Sequence, residues 1–333
     1  MPIDRRTMLG TALGAAAFAA GSARAQQWGA PASPAAGDPH APQWPPAESF
    51  KLWPGKAPGT PAVLPTPNNT MNGPADNREL WLRGVAEPHV GVFRPARPDG
   101  RAVLVIPGGG YQFVSVQNEG IDVASELTPH GITCFVLAYR LPGEGWDNRA
   151  DVPLQDAQRA MRLIRARAAT WGIDPARLGL MGFSAGGHLG AMLAVGHGDP
   201  VYAPIDAADQ LSAKPAYAGL GYPAVSFTSA GFEARRQNGL WGDSTTPEIA
   251  ARYNALDRVS GATPPSFLIH AVDDGTVPIL QSIAWMQACI AAKVPVEAHL
   301  IEKGGHGFGG RHLAATSSGR PWPDLFARWT ALH

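Results

Sequence analysis

Residues 178–194 read LGLMGFSAGGHLGAMLA. An apolar run of strand character stops at Gly182, and a small-residue helical pattern begins just after it. A lone serine, Ser184, stands at the junction with glycines two positions to either side, Gly182 and Gly186. The pattern G-x-S-x-G suits a sharp strand-to-helix turn that holds a hydroxyl out at a helix N-terminus. Developing negative charge is favoured there by the helix dipole. A serine in that place also serves as an ordinary helix N-cap, so the motif alone leaves both roles open.

Working outward, short apolar runs alternate with helical patterns. Strands are expected in 102–111, 131–140, 177–183, 216–225, 266–272 and 296–301. Between the second and third, Leu154, Ala157, Met161, Ile164, Ala168 and Trp171 recur at helical spacing, with Pro153 suited to a first helical position. Helices are also expected from Ser184, near Pro278 and around 321–331. Strands apolar throughout and separated by helices indicate an α/β fold, a mostly parallel central sheet covered by helices on both faces. The interval 226–265 is longer than a connection needs, and it reads as a small insertion shaping the mouth of a pocket.

Three further features fall at carboxyl ends of expected strands. Pro107-Gly108-Gly109-Gly110-Tyr111 follows the first strand of the series, and successive glycines let backbone N–H groups approach an oxyanion closely. HAVDDGTVP (270–278) supplies two carboxylates, of which Asp274 is preferred as the acid and Asp273 as a loop holder. EKGGHGFGG (302–310) places His306 among five glycines, a poor setting for a packed core residue and a good one for a loop reaching over a sheet. The chain order Ser184, Asp274, His306 is that of a nucleophile-elbow hydrolase, and ligands of open α/β sheets bind at this edge. Four features meeting on one edge favour the nucleophile over the N-cap.

The remaining candidates have plainer readings. His188 is expected to pack beneath the turn, and His270 and His299 to be core histidines. Asp156 and Arg159 read as an ordinary helical pair. Glu119 stands near the glycine loop as a substrate contact or a solvated charge, and Tyr111 and Trp146 as pocket aromatics. No His/Cys/Asp spacing suits a metal, and no cofactor is called for.

Lys and Arg together number 27, as do Asp and Glu, and 45% of the 333 residues are apolar. Such a balance gives no electrostatic reason to expect nucleic acid or an anionic membrane as partner. Residues 1–25 carry Arg5-Arg6, a short Ala/Gly-rich apolar run and Ala23-Arg24-Ala25, the pattern of a twin-arginine export signal. A periplasmic or secreted location is the corresponding expectation. Removing that segment, with its three arginines and one aspartate, leaves 308 residues of charge −2. No other stretch resembles a membrane span. Residues 26–48 are dense in Pro, Ala and Gly and read as a flexible or extended leader, with a single domain over 49–333. Cys134 and Cys289 are expected to be buried thiols.

The phrases LWPGKAPG (52–59), VLVIPGGGYQFVSVQNEG (103–120), YRLP (139–142), 153–189 and KGGHGFG (303–309) resemble the α/β-hydrolase superfamily. Within it they resemble the acetyl-esterase/lipase group with bacterial acetyl xylan and feruloyl esterases. That group's glycine loop is usually H-G-G-G, and Pro107 stands here in place of its histidine. The resemblance implies a serine esterase acting on short acyl or aryl-acyl esters of a small-molecule or oligosaccharide substrate. Ser184, His306 and Asp274 would form its triad, and the amides of Gly109, Gly110 and Ala185 its oxyanion hole. A prolyl-oligopeptidase-type peptidase and a catalytically silent carbohydrate-binding protein are the alternatives.

Overall fold

The computed structural model describes residues 32–74, 77–227, 238–242 and 246–333. The expected export signal lies outside them. The strands are β1 (Ser33–Pro34), β2 (Ser49–Lys51), β3 (Thr70–Asn72), β4 (Glu79–Trp81), β5 (His89–Phe93) and β6 (Ala102–Ile106). They continue with β7 (Thr133–Ala138), β8 (Leu178–Phe183), β9 (Ala218–Gly221), β10 (Ser266–Ala271) and β11 (Val296–Ile301). Eight form one sheet in the order β11-β10-β9-β8-β6-β7-β5-β2. From β11 through to β7 every pairing is parallel, whereas β5 and β2 join antiparallel. This is the α/β-hydrolase fold.

The apolar runs explain the burial. Every residue of β6, β7, β8 and β10 is buried, so successive side chains find cover on both faces of the sheet. The helix Val152–Ala166, continued by Ala168–Trp171, buries all six of its expected core positions. Helices also span Ser184–Gly196, Leu280–Ala291 and Trp322–Trp329. Cys134 and Cys289 are both free and buried.

Two expectations are corrected, that of the leader and that of the Asp156–Arg159 pair. Residues 33–48 are not a loose leader: β1 pairs with β3, and Glu48 accepts two bonds of 2.7 Å from the Arg94 guanidinium and one of 2.7 Å from Trp171 Nε1. Composition reports the missing apolar period but not these polar anchors. The insertion packs against the glycine loop from outside, where a Cβ on Gly239 would collide with the Gly110 carbonyl oxygen. None of its described residues lines the cavity that holds Ser184. Residues 228–237 and 243–245 of it lie outside the described residues.

Asp156 and Arg159 do not pair with each other. Arg159 reaches Asp206 and Asp209, while Asp156 meets Arg140 with both side chains fully buried. Arg140 Nε donates to both Asp156 oxygens at 3.0 Å, and its other nitrogens reach Pro58 O at 2.7 Å and Gln155 Oε1 at 2.9 Å. Trp53 Nε1 donates to the same carboxylate at 2.8 Å, and the rings of Trp53 and Trp146 lie 5.5 and 4.8 Å from the guanidinium. The 52–59 segment is thereby pinned to the body. Removing one partner strands a buried charge, so Arg140→Ala is expected to destabilise by about 3–5 kcal/mol. Urea unfolding reads this as a lower midpoint at unchanged slope; a loss below about 1 kcal/mol would contradict it.

Candidate active site

Consecutive parallel strands deliver the site at their carboxyl ends. β6 runs into the glycine loop, β8 into Ser184, β9 into Tyr222, β10 into Asp274 and β11 into His306. Ser184 sits at φ 51°, in the left-handed region, as a strand-to-helix elbow requires. Gly182 and Gly186 make that turn possible. A Cβ on Gly182 would collide with the Gly186 carbonyl oxygen, and one on Gly186 with the carbonyls of Ile106 and Pro107. The helix therefore starts hard against the end of β6, which brings the glycine loop to the serine. A Cβ on Gly108 would lie 2.9 Å from Ser184 Cβ.

The three residues expected to act together do meet. Ser184 Oγ lies 2.8 Å from His306 Nε2, and His306 Nδ1 lies 2.7 Å from Asp274 Oδ2. Asp274 Oδ1 accepts the N–H groups of Thr276 and Val277 at 2.7 and 2.8 Å. Asp273 is the loop holder: its Oδ1 accepts the N–H groups of Gly304 and Gly305 at 2.9 and 2.8 Å. Burial alone would push the Asp274 carboxyl up. Hydrogen bonds from His270 and His306, the neighbouring imidazole charge and the Val277 N–H outweigh that and hold it well below the usual carboxylate range.

Ser184, His306, Gly109 and Gly110 line a cavity of about 390 Å³. Within the glycine loop the carbonyl of Gly109 accepts from Gln112 and Phe113, and that of Gly108 from Ser115. Among the described residues no acceptor takes the N–H of Gly109 or Gly110. Ala185, also expected here, is buried in the first turn of the serine helix.

The expected substrate contacts are corrected. Trp146 is buried against Arg140, away from the cavity. Tyr111 is buried and donates its O–H to His188 Nδ1 at 2.7 Å, while His188 Nε2 bonds Tyr253 O at 2.8 Å. Burial pushes the His188 imidazole down to about 4, so it stays neutral beneath the turn. Glu119 borders the cavity, but both its oxygens are taken by protein donors: Gly108 N–H at 2.7 Å and Tyr222 O–H at 2.7 Å. Burial pushes its carboxyl up to about 7 against those two bonds.

Several site residues escaped the sequence reading. Trp81 and Phe113 line the cavity as a stacked pair with centroids 3.8 Å apart, and the Arg83 guanidinium lies 5.5 and 5.1 Å from their rings. Their positions are far apart in sequence, and no local pattern joins them. His270 is a buried histidine as expected, but its Nε2 also reaches Asp274 Oδ2 at 3.1 Å and its Nδ1 meets Ser282 Oγ at 2.8 Å. The four-residue spacing to Asp274 was the available signal.

A family model described as BD-FAE matches residues 92–288, more than half of the chain. The chain belongs to the BD-FAE family. Among relatives of this BD-FAE chain, the acetylxylan esterase of Xylanibacter ruminicola is 31% identical over 221 residues, 65% of this chain and 43% of that protein. Endo-1,4-beta-xylanase B of Butyrivibrio fibrisolvens is 33% identical over 210 residues, 62% of this chain and 32% of that protein. The chain thus spans less than half the length of these two relatives. The crystal structure of an acetyl ester-xyloside bifunctional hydrolase from Caldicellulosiruptor lactoaceticus superposes with a TM-score of 0.69 at 29% identity. That match covers 86% of this chain and 97% of the other.

Proposed function

We propose that this protein is a serine carboxylesterase that removes short acyl groups, acetyl foremost, from carbohydrate such as xylan fragments. The observation carrying the proposal is the hydrogen-bonded chain from Ser184 Oγ through His306 to Asp274, opening on a cavity lined by Gly109 and Gly110. Ser184 Oγ attacks the ester carbonyl carbon while His306 Nε2 takes its proton, and Asp274 holds the Nδ1–H tautomer and stabilises the imidazolium. The N–H groups of Gly109, Gly110 and Ala185 face the oxyanion, each contributing roughly 3 kcal/mol. Collapse expels the alcohol, which receives the proton from His306. Water, deprotonated by the same imidazole, then releases the acid and restores Ser184.

A cavity of about 390 Å³ suits a small acyl group; ligand pockets run from about 300 to 1,000 Å³. Trp81 and Phe113 add apolar ring surface to the lining of the same cavity. The acetylxylan esterase relative supports the same substrate class. Hydrolysis of p-nitrophenyl esters of rising acyl length, together with acetate release from acetylated xylo-oligosaccharides, tests the reading. Turnover is expected to fall steeply beyond short chains. A peptide amide cleaved faster than any ester would replace it with the peptidase reading, and a wild-type Ser184 that resists a fluorophosphonate would replace it with the binding protein. Export through the Arg5-Arg6 signal belongs to the same proposal; cell fractionation with N-terminal sequencing reads it, and an uncleaved cytoplasmic chain would overturn it.

A further inference from the structure

We propose that Asn118 and Glu119 are a positioning clamp for the esterase reaction put forward above, holding the glycine loop and the His306 loop in register with each other. The inference rests on that reading of Ser184 and His306. Neither residue touches the reacting atoms; both act through the segments they hold.

The clamp is a single turn. Gln117–Ile121 is a π-helical turn, with Ile121 N–H bonded to Val116 O at 2.9 Å. Such turns recur at functional sites because the extra residue redirects neighbouring side chains. Here three successive side chains, all buried, brace three different segments. Gln117 Oε1 accepts from Leu80 N–H at 2.9 Å. Asn118 Nδ2 donates to Gly307 O at 2.9 Å, and the Asn118 carbonyl accepts Gly310 N–H at 3.0 Å. Glu119 accepts Gly108 N–H with one oxygen and Tyr222 O–H with the other.

Tyr222 extends the clamp across the site. Its hydroxyl oxygen accepts Gly309 N–H at 2.9 Å while its hydrogen goes to Glu119. The glycine loop, Glu119, Tyr222 and the His306 loop therefore form one continuous hydrogen-bonded path, and the Tyr222 ring lies edge-on to the His306 ring at 5.0 Å. A histidine loop with five glycines has many accessible backbone conformations. Asp273 tethers its entry at Gly304 and Gly305. Asn118 and Tyr222 tether its exit at Gly307, Gly309 and Gly310. With both ends held, His306 Nε2 stays within bonding reach of Ser184.

Steady-state kinetics on p-nitrophenyl acetate with the full chain tests this. Glu119→Ala is expected to lower kcat about 100-fold, the loss associated with a small misplacement of reacting groups, with KM changed less than threefold. Glu119→Gln keeps an acceptor for Gly108 N–H and is expected to recover at least tenfold of that loss. Tyr222→Phe removes the hydroxyl, and with it both the link to Gly309 and the bond to Glu119, while leaving Glu119 on Gly108 N–H; it is expected to lower kcat about tenfold. In the double variant with Glu119→Ala it should add less than threefold, since the path is already broken. Fluorophosphonate labelling of Ser184 should slow in parallel with kcat. A wild-type enzyme without esterase activity would sink the functional reading. An active wild type with Glu119→Ala or Tyr222→Phe within threefold of its kcat, or losses that multiply in the double variant, would sink the clamp alone. Should Glu119→Ala fail to fold, Tyr222→Phe and Glu119→Gln decide: Tyr222→Phe at wild-type kcat, or a change confined to KM, overturns the proposal.

Discussion

Replacing Ser184 with alanine is expected to lower kcat on the order of 10⁶-fold while leaving the protein folded. The substitution removes one oxygen, and alanine meets the same left-handed backbone at φ 51° as serine does. The cavity and its glycine amides persist, so substrate binding should change little and a residual rate above water should remain. Active-site titration with a fluorophosphonate, alongside esterase kinetics, measures this. A variant retaining more than about a hundredth of wild-type kcat would mean that another group is the nucleophile.

Asp274→Asn is expected to lower kcat about 10⁴-fold, for a reason written in its bonds. Asp274 Oδ1 faces two backbone N–H groups, so the amide oxygen of asparagine settles there and the amide nitrogen faces His306 Nδ1. That nitrogen is a donor, so His306 must present Nδ1 as an acceptor and carry its proton on Nε2, toward Ser184. The imidazole is then in the wrong tautomer to take the serine proton. The same carboxylate also links folding to acid. Its folded value is depressed, so its ionisation stabilises the protein above the ordinary carboxylate range, and that contribution disappears as pH falls through the folded value. Urea midpoints should therefore fall less steeply toward acid in Asp274→Asn than in wild type. A kcat within tenfold of wild type would remove Asp274 from the mechanism.

Most of the fold was legible along the chain. Six runs of strand character became the parallel strands β6 to β11. Strands β6 to β10 are buried at every position, which calls for a largely apolar run, while β11 lies at the sheet edge and stays partly exposed. The small antiparallel strands between Ser33 and Phe93 were not legible. Runs of two to five residues among prolines and asparagines carry too few side chains to show a period, and partners supplied from elsewhere hold them. The triad was legible for a different reason. Each member stands directly after a strand, in a local pattern of glycines or paired acids that serves no packing purpose.

The supporting residues had no such local mark. Glu119 beside the glycine loop suggested a contact with substrate, and only the approach of Gly108 and Tyr222 turned it into a brace. Trp146 and Tyr111 had the residue types of a sugar platform, yet Arg140 and His188 claim them in the interior.

The order of residues by itself determined which strands are central, which turn exposes a hydroxyl, and which acid and imidazole follow in the chain. Hydrophobic period and turn chemistry are short-range properties, readable within a dozen neighbours. Tertiary structure alone decided how the glycine loop, Tyr222 and the His306 loop are tied together, and that Trp81 and Phe113 form the cavity wall. Hydrogen bonds and ring contacts between segments about 30 to 190 residues apart depend on where strands lie side by side, which no local pattern records.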